Sequence, residues 1–309
     1  MAALVDTALA EDPPGARPAP PGLKRRRRAT GWVLTVPGLV WLALFFALPI
    51  ALLFSTSLMV PVPGGDIGQF QPAFRLANYA EALAQYWPTF LRSFAYGLIA
   101  TVLALLIGYP LAYVVAVKAR RWPTLQALLL VLIIAPFFTS FILRTIAWRQ
   151  ILADEGVVVQ TLQALALLPG DGRLTATSFA VVAGLTYNFV PFMTLPIYAS
   201  LERLDLRYLE AGQDLYAGPW TTFRTVTWPL SLPGVVAGTL LTFIPASGDY
   251  VNAALLGTSN TQMIGNVIES RFFRIVDYPT AAALSFILMA TILAIVYGYV
   301  RRAGTDDLL

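Results

Sequence analysis

Asp249 has the setting in this chain that most plainly invites chemistry: it follows Pro245 and Gly248 inside a long apolar run and precedes Tyr250. A charged group within a membrane-length apolar segment costs roughly 2.5–3.5 kcal/mol to insert, so its presence there points to a role. A carboxylate beside aromatic rings suits an ammonium-bearing solute, through charge pairing and cation–π contact. The competing reading is a carboxylate that caps a broken helix or pairs with Arg144. Trp148, Tyr187, Phe192 and Tyr198 suit either a solute path or an interfacial belt. The path candidates are therefore Asp249, Tyr250, Tyr187 and Trp148.

A second group lies between two apolar runs, where Glu202, Arg203, Asp205, Arg207, Glu210, Asp214 and Arg224 alternate with Leu204, Leu206, Leu209 and Leu215. The pattern predicts an amphipathic helix, a turn at Ala217-Gly218-Pro219, and a second helix ending at Pro229. A folded loop of this kind suits the docking of a partner. Glu210 then either meets that partner or caps the short helix as a solvated carboxylate. Glu269, Arg271 and Arg274, in the last outer loop, fit docking or plain solvation equally, and Arg144 and Arg149 are expected to snorkel at the outer interface.

Several chemistries are excluded. The chain has no Cys and no His, which removes thiolate catalysis, Ser-His-Asp triads and the commonest zinc ligands. Only carboxylates remain, and they gather in the loop, so no metal site is expected. Lys24 and Lys118 are followed by Arg25 and Ala119, so no nucleotide-binding G-x-x-x-x-G-K-[ST] loop can form. The net charge of +4 rests largely on the run Lys24 to Arg28, directly before an apolar segment. That position fixes a cytoplasmic N-terminus rather than binding nucleic acid.

The elements that position these residues are spans. With 57% hydrophobic and 12% charged residues, the charged share is about half that of a soluble domain. Apolar runs of bilayer length fall at 32–58, 93–117, 124–148, 177–200, 231–256 and 279–300. Residues 1–31 read as a disordered basic tail and 303–309 as a second tail, both cytoplasmic, around a transmembrane domain of 32–302. The longest outer connection, 59–92, reads as a loop with a short surface helix around Asn78 to Leu83. An inner N-terminus puts Arg17, Lys24 to Arg28, Lys118, Arg120, Arg121, Arg203, Arg207, Arg224, Arg301 and Arg302 inside, fourteen of the 21 basic residues.

The stretch YLEAGQDLYAGPWTTFRTVTWPLSLPG resembles the EAA loop of ABC importer permeases. Glu210 and Ala211 fit its opening, Gly212 stands where Ala is usual, and Trp228-Pro229 stands where Leu-Pro is usual. Tyr216 occupies the turn position where that motif has Gly, so Gly218 is expected to make the turn instead. APFFTSFILRTIAW (135–148), YNFVPFMTLPIYASLERLD (187–205), FIPASGDYVNAALLG (243–257) and MIGNVIESRF (263–272) extend the likeness to PotB-type permeases of spermidine/putrescine importers, from about 32 to 300.

The resemblance implies an all-α integral membrane protein of six transmembrane helices, with the type I ABC importer permease (MetI-like) fold, in a bacterial inner membrane. It implies a second homologous permease (PotC-like), a homodimeric ATPase (PotA-like) that binds ATP and Mg, and a periplasmic solute-binding protein (PotD-like). The chain itself would hold no cofactor and catalyse nothing. Its coupling loop would be about 201–230, its coupling helix about 207–222, and its ATPase-coupling residues Glu210, Ala211, Gly212, Asp214, Gly218 and Pro219. The solute implied is a polyamine; an opine or amino-acid-like amine stays open, as do a secondary transporter and a membrane enzyme.

Overall fold

The computed structural model describes residues 35–170 and 172–303, so the expected tails lie outside the described residues except for Ala303. The described residues up to 55 form one body and the described remainder a second. The first holds most of helix α1 (Thr35–Ser57), apolar on every side. A π turn at Ala43–Ala47 interrupts it, where the Leu48 N–H bonds the Ala43 carbonyl. Pro49 follows at once; having no N–H and crowding the carbonyl four residues back, it is accommodated by a turn widened by one residue.

The second body begins with an antiparallel hairpin, β1 (Met59–Pro61) and β2 (Phe70–Pro72), in the register Met59↔Pro72 and Pro61↔Phe70. This is a small departure from an all-α chain. The helices that follow are α2 (Ala77–Arg121), α3 (Pro123–Phe138), α4 (Phe141–Ile151) and α5 (Val157–Ala164). Then come α6 (Ser178–Glu202), α7 (Arg207–Asp214), α8 (Pro219–Ser247), α9 (Val251–Leu256), α10 (Ile264–Glu269) and α11 (Tyr278–Ala303). Among the described residues five helices are long and apolar enough to cross a membrane, and α3 with α4 makes a sixth if the bent pair is one span.

Helices α2, α6 and α8 form the centre of this body. On α6, Val181, Leu185, Phe189, Met193, Ile197 and Leu201 recur every four residues as one buried stripe. Small residues set how close its neighbours come: a Cβ on Gly97 would lie 2.6 Å from Ser247 Oγ, and one on Gly238 would lie 2.9 Å from the Met193 carbonyl. Membrane helices approach this closely only where side chains are nearly absent.

Four expectations about elements are corrected. The short surface helix expected near 78–83 is instead the start of α2, which runs unbroken through Pro88 into the span. Asn78 Nδ2 anchors that start by donating to the carbonyls of Ser57 and Met59, each at 2.9 Å. The span expected at 124–148 is broken: Thr139 and Ser140 are extended after Pro136, and α3 and α4 meet at 99°. A hydropathy run cannot register that bend, because both halves are apolar. The span expected at 231–256 begins earlier, at Pro219, and stops at Ser247, before a break that leads into α9.

The second loop helix was expected to end at Pro229, and here the difference is largest. A π turn at Phe223–Thr227, in which the Trp228 N–H bonds the Phe223 carbonyl, carries the helix through Pro229 without a stop. Its spacing to the proline repeats that of α1, where Pro49 follows Ala43–Ala47.

Candidate coupling surface and solute path

The loop between α6 and α8 is a helical hairpin. Asp205 Oδ1 accepts from the Arg207 N–H at 3.0 Å and so caps α7. That cap is Asp205 rather than Glu210; Glu210 is exposed, as a solvated carboxylate or a docking residue would be, and forms no ion pair among the described residues. Leu206, Leu209 and Gly212 turn towards the body, while Arg207, Tyr208, Glu210, Ala211 and Asp214 are exposed. Gly212 accommodates α8, since a Cβ there would lie 3.1 Å from Thr222 Oγ1.

The end of α7 corrects a second reading. Gly218 has φ −63°, whereas Tyr216 itself adopts the left-handed conformation with φ +57°. The Ala217 N–H bonds the Gly212 carbonyl at 3.0 Å, the closure that follows a helix whose next residue is left-handed. The turn thus stays where the EAA pattern puts it, with a tyrosine in the glycine's place. Gly218 and Pro219 are exposed and start α8, with Pro219 in the first turn, where a missing N–H is harmless. Arg120 Nη1 donates to the Leu204 carbonyl at 2.9 Å, so the basic end of α2 and the hairpin share one end of the body.

The path candidates separate into two places. Asp249 lies in the break between α8 and α9, 9% exposed, and its Oδ1 accepts from the backbone N–H of Asn252 at 2.8 Å and from Nδ2 at 3.2 Å. Its Oδ2 takes no hydrogen bond among the described residues, and no ion pair joins it to Arg144. Asn252 Oδ1 in turn accepts from Asn188 Nδ2 at 3.1 Å, and Asn188 also donates to Thr145 Oγ1 at 3.1 Å. This buried chain fastens α4, α6 and α9 together. Tyr250 is half exposed, its carbonyl held by Asn266 Nδ2 at 2.7 Å.

Trp148 and Tyr187 stack face to face, 5.3 Å apart and 3° from parallel. They line a cavity of about 470 Å³ whose other walls, including Leu103, Ile107, Leu111 and Pro136, are apolar except for Thr186. Asp249 and Tyr250 do not line it. Sequence reasoning missed Thr145, Asn188 and Asn252; the signal available was neutral amides and a hydroxyl inside apolar runs, which need partners where water is absent.

The outer-loop residues and Arg144 make contacts within the chain. Arg271 Nε donates to Tyr86 Oη at 2.9 Å and Nη1 pairs with Asp277 at 3.0 Å, so this arginine ties α2 to the start of α11. Glu269 pairs with Arg274 at 3.7 Å. Arg144 does not snorkel freely, for its Nε and Nη1 are buried and its guanidinium lies over Phe141 at 5.6 Å.

A membrane body of α-helices, with a folded loop at one end and a broken helix near the other, is the architecture of a solute permease. The chain belongs to the family described as binding-protein-dependent transport system inner membrane component, which matches residues 108–303. Members are membrane components of transporters rather than catalysts. The chain is 37% identical over 257 residues to the spermidine/putrescine transport system permease protein PotB of Salmonella typhimurium (strain SL1344), covering 83% of this chain and 87% of that protein. It is 36% identical to PotB of Escherichia coli (strain K12), covering 83% and 90% respectively. A bacterial ABC transporter that imports the acidic polysaccharide alginate shares the fold, with a TM-score of 0.67 over 91% of this chain and 97% of that one at 16% identity.

Proposed function

We propose that this chain is the permease subunit of an ATP-driven polyamine importer, working beside a second, homologous permease, a homodimeric ATPase and a periplasmic binding protein. The observation that carries the reading is the 37% identity to PotB over 83% of the chain. The partner ATPase binds ATP and Mg, in keeping with a chain that lacks a nucleotide loop. Both termini and the α7–α8 hairpin face the cytoplasm, and residues 32–302 form the permease domain.

A mechanical connection supports the coupling role of Glu210, Ala211, Gly212, Asp214, Gly218 and Pro219. Helix α8 runs unbroken from Pro219, at the hairpin, to Ser247, beside Asp249. At about 1.5 Å per residue it is a rod of roughly 42 Å. Movement of the ATPase pair at the hairpin reaches the Asp249 break through this rod, and the permeases alternate between outward-open and inward-open states. At the break, Oδ2 of Asp249 and the ring of Tyr250 offer a carboxylate and a π face to an ammonium group. Trp148 and Tyr187 supply a second aromatic surface through their stack.

Uptake of labelled spermidine by cells that lack their own polyamine importers, expressing this transporter's subunits, tests the reading. Wild type is expected to restore uptake, and Glu210→Arg to abolish it with the subunit still in the membrane. Uptake by Glu210→Arg at the wild-type rate would remove Glu210 from the coupling surface.

A further inference from the structure

Arg144 carries a charge that no acid among the described residues meets. Its Nε and Nη1 are out of reach of solvent and have no hydrogen-bond acceptor, and it makes no ion pair. The Phe141 ring, 5.6 Å from the guanidinium, is a weak substitute for an anion. Arginine does not shed its proton inside a protein, so the charge stays. A buried charge without a counter-charge is costly, which calls for one in some state of the molecule.

The sources of that counter-charge narrow quickly. Thr145, the next residue, bonds Asn188, the eleventh of the 25 residues of α6. Arg144 therefore starts near the middle of that span, about 15 Å from lipid phosphate on either side. The solute of the reading above is itself a cation and repels it. Asp154 and Glu155 lie past the end of α4, exposed, and Asp154 already pairs with Arg173 at 3.2 Å. Asp249 is different. It immediately precedes α9, which packs against α4, and its Oδ2 takes no hydrogen bond among the described residues. Asn252 and Asn188 already join it to Thr145. Asn188 Oδ1, buried and without a donor, belongs to the same cluster. One packed group thus holds donors lacking acceptors, Arg144 Nε and Nη1, beside acceptors lacking donors, Asp249 Oδ2 and Asn188 Oδ1.

We propose that Arg144 is a built-in competitor for the solute at Asp249. In one state of the transport cycle the carboxylate holds an ammonium group; in the other, α4 and α9 shift, the Arg144 guanidinium takes Oδ2, and the ammonium is displaced. The proposal rests on the reading of Asp249 as the solute's carboxylate and adds the residue that drives release. A guanidinium presents a fork of N–H donors to a carboxylate, which lets it outcompete a single ammonium once it is in reach. Arg144 touches the carboxylate and not the solute, so it is a positioning residue. A carboxylate that held its cation equally in both states would bind well and deliver nothing.

The test uses the complete transporter in proteoliposomes and measures spermidine uptake for wild type, Arg144→Gln, Arg144→Lys and Asp249→Asn. Arg144→Gln is expected to lower kcat about tenfold, an ordinary size for coupling between two states, with KM unchanged or lower because the solute has lost its competitor. Arg144→Lys is expected to restore most of the rate. The melting temperature of Arg144→Gln is expected to hold or rise, since an unmet buried charge is gone; a purely structural arginine would lower it. A second measurement uses the absence of native Cys. In Arg144→Cys with Asp249→Cys, a short bifunctional thiol reagent is expected to link the two positions in only one of the nucleotide-free and vanadate-trapped states. Equal linkage in both states would overturn the switch, and linkage in neither would give Arg144 a partner on the second permease instead and overturn it too. Wild-type kinetics in Arg144→Gln with Asp249→Asn defective would overturn the competitor and leave the solute site standing. Wild-type uptake in Asp249→Asn would overturn both.

Discussion

Asp249 does two jobs at one position. Oδ1 holds the first turn of α9 through Asn252, while Oδ2 is left for whatever enters the break. Asp249→Asn keeps an acceptor for the Asn252 N–H and removes the charge. Its melting temperature is expected to change little and spermidine uptake to fall by about tenfold or more; retained uptake would move the ammonium site elsewhere. Asn252→Ala instead strips partners from Asp249, Asn188 and Thr145 together. Leaving buried polar groups unpaired costs about 1–3 kcal/mol, and a lowered unfolding temperature in detergent is the readout. The carboxylate was legible in the sequence because a charge after Pro245 and Gly248 is conspicuous in an apolar run. The amides were not, because a neutral side chain gives no sign of which distant helix it will meet.

The element that gives the account its mechanics is α8. A proline inside a helix normally removes a hydrogen bond and clashes with the preceding turn, by about 3 kcal/mol, so Pro229 reads as a stop. The π turn at Phe223–Thr227 absorbs the proline and turns a loop helix and a span into one rod. A Gly-Gly insertion after Arg224 is expected to leave the ATPase bound but to cut stimulation by loaded binding protein about tenfold, because the tip then moves without the break. Full stimulation in that variant would show that α8 does not transmit the movement. Most spans were legible from apolar length alone, α6 and α11 nearly to the residue. The 99° bend between α3 and α4 was not, since hydropathy averages across Thr139 and Ser140. The left-handed turn was placed correctly by the motif but assigned to Gly218; the closure onto the Gly212 carbonyl fixes it at Tyr216.

At the scale of the whole molecule, burial is uneven. The most apolar window of α6 is 61% buried and that of α11 only 22%, so α6 is the axis and α11 is left with a face for lipid or a neighbouring subunit. Sidedness is open to a clean experiment, because the chain has no native Cys to block the label. Ala217→Cys is expected to react with an impermeant maleimide only after cells are opened, and Ile67→Cys in intact spheroplasts; the reverse pattern would invert the topology. The most direct test of the central claim is the ATPase rate of the complete transporter in nanodiscs, with binding protein loaded in turn from a panel of amines. The account predicts stimulation by spermidine or putrescine. An intact complex stimulated by neither, yet stimulated by another solute, would contradict polyamine import.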